Sequence, residues 1–357
     1  MCEIDTSVWT RTDIALVVVV AVVAVTAGFV AGYAVHSSSS PPPQTLSITA
    51  AGTLGTLFPE VASALANETP GTSAPIAAQT YEGSLAALGM ISNLHQPFDV
   101  AASADFRSIP LLLEPTWAKY EVTFASTSEV LTYDPSVSAF AGINTTNWAQ
   151  KIAAPGVRLG LANASVDPNG YNEIFALQLE GLLTANSTSA VYGHFFTSPV
   201  GALAVPNPST TLVEPENEVA QLLATHVVEA YITYQSYAVA HHLSFVPLDP
   251  RVNLGELGTP YLNLYSNAST TILVPNGTAV VRGAPVVFAA TVPTNAPDPL
   301  LGELFLELLL SPHGAALIAG AGFTPITPGW IDQNSAVPDL LASEVAPLPS
   351  SLASDIG

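Results

Sequence analysis

The chain is 357 residues long and carries 28 Asp and Glu against 7 Lys and Arg, a formal charge of −21. So few cations exclude a basic face for nucleic acid, and a single cysteine, Cys2, excludes metal sites built on thiolates. Because cations are scarce rather than carboxylates abundant, the composition also fits an acidic setting, where carboxyls are protonated and a cation-rich surface would repel itself.

Residues 1–13 read as a short cytoplasmic N-terminus. Ile14 to Val35 is an uncharged apolar run long enough to span a bilayer. It reads as a membrane anchor or, with Gly32-Tyr33-Ala34 as a small-x-small cleavage site, as a removable signal segment. Arg11 favours the N-terminus inside and the rest of the chain outside. Residues 36–44 are a polar and then stiff Ser/Pro linker. Asn67, Asn144, Asn163, Asn186, Asn267 and Asn276 each precede Ser or Thr by two places, which predicts glycosylation acceptors on an exported chain.

The chain beyond this linker is too long for one core, so two lobes are expected. Leu46 to Ala50 predicts a buried strand, Leu57 to Asn67 an amphipathic helix, Ile76 to Thr80 a strand, Ser84 to Leu94 a helix and Phe98 to Ala102 a strand. This βαβαβ order predicts a parallel, doubly wound α/β sheet with its site at the carboxyl ends of the strands. The pattern restarts near Glu129. Strands are predicted at Val130 to Tyr133, Arg158 to Ala162, Glu229 to Tyr234 and Val286 to Val292. Helices are predicted at Tyr171 to Thr184, Glu216 to Thr225, Pro299 to Leu310 and Pro312 to Ala319. The stretch after Val337, rich in Pro, Ser and Ala, predicts loose order. Two α/β halves joined by short crossings make a cleft that closes by a hinge.

Three segments stand out: Gly52-Thr53-Leu54, Ala102-Ser103-Ala104-Asp105 and Asp167-Pro168-Asn169-Gly170-Tyr171. Each follows a strand-like run, and the first and third open onto a helical pattern, so small hydroxyl or carboxylate side chains sit at helix mouths, where unpaired N–H groups attract anions. None of the three contains Lys or Arg, which points to a small anion held by neutral donors. Thr53, Ser84, Ser103 and Asp167 read equally as cap or turn residues, and Tyr234 as a core aromatic. His241-His242 is a weak metal signal, because adjacent side chains point apart. Asp99 and Asp105 lack an accompanying nucleophile or histidine, and no hydrolase elbow is present, so no enzyme activity is expected.

These segments resemble, in order, motifs of the solute-binding proteins of molybdate and tungstate ABC transporters, particularly the archaeal branch. Gly52-Thr53-Leu54 is similar to the family's Gly-Ser-Leu, and Glu82-Gly83-Ser84 to its second serine loop. Ala101-Ala102-Ser103-Ala104-Asp105-Phe106 resembles its Ala-Ser-Ala-Asp-Tyr, and Asp167-Pro168-Asn169-Gly170-Tyr171 its Asp-Pro-x-Gly-Tyr. Tyr234-Gln235-Ser236-Tyr237-Ala238 resembles its Tyr-x-Ser-Val-Ala, and Phe323-Thr324-Pro325-Ile326 with Pro328-Gly329-Trp330 its closing motif. The resemblance implies a bilobal type II periplasmic-binding-protein fold with an oxyanion in the cleft. Lobe 1 is then expected at 45–128 and 285–337, lobe 2 at 129–284 and a tail at 338–357.

The site residues implied are Thr53, Ser84, Ser103, Asp167, Tyr234 and the main-chain N–H groups of Gly170 and Tyr171. Asp167 matches a carboxylate thought to join the metal's shell in the archaeal branch. Thr233 stands where a second is usual, and that departure favours a tetrahedral oxyanion held by hydroxyls and amides. The expected partners are molybdate or tungstate, a permease, and a membrane through the N-terminal helix. The chain is expected to be a monomer without a cofactor. The alternatives are the same fold serving sulfate or phosphate, or an anchored sensor.

Overall fold

The computed structural model describes residues 45–68, 78–213, 218–332 and 336–353. The expectations for 1–13, 14–35 and 36–44 lie outside them, as do residues 76–77 of the second predicted strand and 216–217 of a predicted helix. The strands are β1 Ser47–Ala51, β2 Ala78–Glu82, β3 Val100–Ser103, β4 Val122–Ser126, β5 Glu129–Tyr133, β6 Leu159–Ala162, β7 Thr210–Val213, β8 Ala230–Tyr234 and β9 Phe245–Pro247. They continue with β10 Ser269–Val274, β11 Gly277–Arg282, β12 Val287–Thr291, β13 Thr324–Pro325, β14 Gly329–Ile331 and β15 Val345–Pro347. The longer helices are α1 Phe58–Glu68, α2 Ser84–Ser92, α3 Pro168–Ala185, α4 Pro299–Leu310 and α5 Pro312–Gly320.

Two sheets organise these elements. The first, in lobe 1, has the order β13-β4-β12-β3-β1-β2; the second, in lobe 2, has the order β7-β6-β8-β5-β9. Within the first, β1 pairs parallel with β2 and β3; within the second, β6 pairs parallel with β7 and β8. The central strands are buried on both faces: β1, β3, β4, β6, β8 and β12 are almost wholly inaccessible, as sheets covered by helices on both sides require. In lobe 1 the covering is aromatic. Phe58 of α1 packs against Phe305 of α4 and Phe124 of β4, with ring centroids 5.1 and 5.9 Å apart.

The parallel pairing expected from the βαβαβ order is present in β2-β1-β3, and antiparallel strands join each sheet at the crossings. β12 runs antiparallel to β3 and β4, and β5 runs antiparallel to β8 and β9. These are the strands that follow each crossing of the chain. The chain passes from β4 directly into β5 at residues 127–128, and from β11 into β12 at 283–286. A strand arriving from the facing lobe enters at the cleft side, where the parallel strands end, and so must run against them.

The stretch after Val337 departs from expectation. β15 pairs parallel with β14, and Leu341, Leu348 and Leu352 are buried, so apolar anchors hold its described part against the rest of the fold. The sequence pattern does not show β4, or the hairpin β10–β11 whose strands pair from Ser269↔Arg282 to Val274↔Gly277.

Candidate functional site

The ends of β1, β2 and β3 lie side by side. Ala51 is in register with Glu82, so Thr53 and Ser84 each stand two residues beyond the paired ends. Ala50 is in register with Ala102, which brings Ser103 to the same edge. Thr53 lies inside a 3-10 turn, Gly52–Gly55, rather than capping α1, and it is buried. Ser84 is the first residue of α2, with Gly83 at the cap position.

The two serines are braced in the same way. Ser84 Oγ accepts the Ala104 N–H at 3.0 Å, and Ser103 Oγ accepts the Asp105 N–H at 3.0 Å. A hydroxyl whose oxygen already accepts a main-chain N–H has its O–H proton left to donate. Both side chains are fully buried, so this edge of lobe 1 presents oriented neutral donors.

Across the cleft, β6 and β8 end on the lobe 2 residues. Asp167 caps α3, its Oδ1 accepting the Asn169 N–H at 2.9 Å. The cap reading therefore fits Asp167 and fits neither Thr53 nor Ser84. Asn169 Nδ2 donates to Glu173 Oε1 at 2.5 Å and to the Ile232 carbonyl at 3.2 Å, while Glu173 Oε2 accepts the Ala162 N–H at 2.8 Å. This buried network fixes the Asp167 loop against β8, one residue before Thr233. Thr233 and Tyr234 are fully buried. Tyr234 accepts from Asn172 Nδ2 at 3.3 Å, and its ring meets Phe288 of β12 edge-on at 5.7 Å.

One expectation needs correction. The Gly170 N–H donates to the Asp167 carbonyl at 3.1 Å inside the first turn of α3, so it is committed within the helix. Glycine stands there for space: a Cβ would lie 2.5 Å from the Ala162 carbonyl oxygen and 2.6 Å from the Ala164 nitrogen. The Tyr171 side chain also has a partner, its hydroxyl donating to Asp105 Oδ2 at 2.5 Å across the cleft.

Asp105 and Arg107 form an ion pair, Nη2 to Oδ2 2.7 Å. Burial alone would raise the Asp105 pKa, but the Arg107 charge and its hydrogen bonds outweigh this and hold it below the usual carboxylate range. Burial, followed by the Asp105 charge, pushes Tyr171 well above the usual phenol range, so its proton stays in place to donate. Arg107 is the cation bonded into this region, and Asp105 neutralises it. Asp99, by contrast, sits at the start of β3. It accepts from the Ser47 N–H and hydroxyl and from the Asp298 N–H, a structural tie far from acid–base chemistry.

The structure thus gathers Ser84, Ser103, Asp167 and Tyr171 in one hydrogen-bonded region between the sheets, with Thr53 on the same edge and Thr233 and Tyr234 on the adjoining strand. Residues not singled out from the sequence include Val166, Asn169, Glu173 and Ser236. Ser236 Oγ is buried without a hydrogen-bond partner, and the Tyr-x-Ser spacing is its only signal. His241 stacks on Tyr237 at 4.1 Å, and no cluster of three or more His, Cys, Asp or Glu suited to a metal occurs among the described residues.

A family model described as bacterial extracellular solute-binding protein matches residues 46–324. An uncharacterised solute-binding protein of Methanoculleus marisnigri is 30% identical over 281 residues, covering 74% of this chain and 77% of that relative. The molybdate/tungstate-binding protein WtpA of Thermococcus kodakarensis is 25% identical, covering 65% of this chain and 68% of its own. The periplasmic molybdate-binding protein of Azotobacter vinelandii superposes with a TM-score of 0.53 at 17% identity, over 78% of this chain and 98% of that one. That likeness shows the fold, a type II periplasmic-binding-protein architecture.

Proposed function

The chain belongs to the bacterial extracellular solute-binding protein family, and from that premise we propose that it captures molybdate or tungstate for import by an ABC-type permease. As a solute-binding protein of ABC-type transport it is not an enzyme. The observation that carries the ligand is the lining of the cleft: buried hydroxyls braced as donors on one side, and a cation already neutralised by its own carboxylate. Such a lining favours an acceptor-only oxyanion, because each donor makes a short, charge-assisted bond to it. The similarity to WtpA supports the same reading.

Thr53, Ser84, Ser103, Thr233 and Tyr234 supply the donors in this reading. Asp167 stands beside the anion, orienting the start of α3. The run 14–35 holds the binding unit at the outer face of the membrane.

A thermal-shift panel on the full chain in detergent tests the proposal. Molybdate and tungstate should raise the melting temperature at concentrations where chloride, sulfate and phosphate do not, since a ligand that binds only the folded state stabilises it by mass action. Equal shifts with chloride would overturn the reading. Thr233→Glu then reports the coordination. With a tetrahedral anion, a second carboxylate should weaken binding roughly tenfold or more near neutral pH through like-charge repulsion. Tighter binding by that variant would mean that the metal takes carboxylates into its shell.

A further inference from the structure

Two lobe 2 groups reach into lobe 1 without being candidates for direct ligand contact through the atoms involved. The Val166 carbonyl, from the loop before α3, accepts the N–H groups of Leu85 and Ala86 at 3.0 and 3.2 Å. These are donors in the first turn of α2, which that helix cannot satisfy itself. A neighbouring lobe therefore supplies the cap that no side chain of α2 provides. The approach is close: a Cβ on Gly83 would lie 2.6 Å from the Val166 oxygen and 3.0 Å from Asp167 Cβ. Since Gly83 has ordinary extended dihedrals, φ −55° and ψ 136°, the glycine is required by proximity rather than by backbone conformation.

A second tie crosses nearby. Tyr171 of lobe 2 donates to Asp105 of lobe 1, and Arg107, which clamps Asp105, also donates through Nη1 to the Arg282 carbonyl at the end of β11, 2.7 Å away. One contact is main chain to helix end, the other phenol to carboxylate, and both are formed only with the lobes together.

We infer that Gly83 and Val166, seconded by Tyr171 and Asp105, form a lobe-to-lobe clasp that sets how firmly the cleft closes. The clasp rests on the reading of this cleft as an anion site, and it makes Gly83 and Val166 positioning residues. They govern affinity through the closed state, since a ligand's apparent affinity falls with the fraction of protein in the competent conformation.

Spin labels test this on the full chain in detergent, with Cys2→Ser to remove the native thiol and Asn93→Cys and Ser189→Cys to carry one label on each lobe. Both positions are exposed. Gly83→Val should lengthen and broaden the distance between labels and weaken molybdate binding about tenfold, as expected for two lost main-chain bonds. Circular dichroism and melting should remain those of a folded chain. Tyr171→Phe, which removes only the hydroxyl, should lengthen the distance by less and guards against misfolding of the first variant. Unchanged distances in both variants would overturn the clasp. Should the parent chain ignore molybdate, the proposed ligand fails, and the distances without anion still decide the clasp: longer in Gly83→Val supports it, equal refutes it.

Discussion

The two lobes keep part of their sets of carboxyls in opposite ways. In lobe 2 several are met by donors. Arg158 bonds Glu229 at 2.6 Å, Arg251 bonds Asp249 at 2.8 Å, and His226 lies 2.7 Å from Asp134. Glu173, fully buried, takes the Ala162 N–H and the Asn169 amide. In lobe 1, Glu121 is buried with Oε2 lacking a hydrogen-bond partner, and Oε1 of Glu114 is in the same condition. Burial, then the fields of Glu114, Asp105 and Asp332, pushes Glu121 well above the usual range. Burial and then Asp332 raise Glu114. Glu229 and Asp249 of lobe 2 and Asp105 of lobe 1 are thus held low by their donors. Burial instead raises Glu121 and Glu114 of lobe 1 and Glu180 of lobe 2, and acid acts on the two sets with opposite sign.

The largest test breaks lobe 2. Glu173→Ala leaves the Ala162 N–H and the Asn169 amide short of an acceptor, which should destabilise the fold by about 2–4 kcal/mol. Denaturant titration would measure this, and molybdate affinity should fall with it because the Asp167 loop is released.

Glu121→Gln sharpens the contrast from the other side. A carboxyl whose folded pKa is raised contributes stability that is fully present below its unfolded pKa, near 4.3, and lost as the pH climbs through the folded value. The neutral isostere should therefore stabilise by at least ~1 kcal/mol at pH 7.5 and make no difference at pH 4, read as paired melting curves. The carboxylates held low, Asp105, Glu229 and Asp249, work the other way and lose their contribution as the pH falls through their folded values. The parent chain should accordingly be most stable on the acid side of neutrality and above the range where those groups protonate. A maximum at alkaline pH would contradict the assignment.

The smallest effect is expected at the surface. Arg158 is about half exposed, so Arg158→Gln should cost ~1 kcal/mol or less and fade with added salt. A larger loss would mean that Glu229 is more deeply dependent on its partner than its geometry indicates.

Elements with a sustained period are legible from the sequence: β1, α1, α2, β3, β6, α3, β8, α4 and α5 fall within a few residues of the predicted spans. Strand direction is not, because alternation and apolar runs carry no sense of polarity. Hence β5 and β12 read as strands whose direction the pattern leaves open. The hairpin β10–β11 escapes although Asn276-Gly277, a strong turn signal, lies at its tip; Asn276 reads as a glycosylation acceptor instead. At the site, the hydroxyls are legible because small polar residues after buried strands are conspicuous. The Asn169–Glu173 network and the Val166 carbonyl are not, since one depends on a buried carboxylate meeting donors from distant strands and the other on main-chain chemistry that every residue shares.

The crossing strands bear on the order in which the chain can assemble. β12 lies between β4 and β3 in the first sheet, yet it is made after all of β5 to β11. A chain emerging from the ribosome completes the second sheet from one uninterrupted stretch. Meanwhile β3 and β4 wait with unpaired edges, the condition most open to wrong pairing with other chains. The insertion is thus the natural first folder, and synthesis halted before Val287 should leave a finished second lobe carrying a sticky, half-built first one.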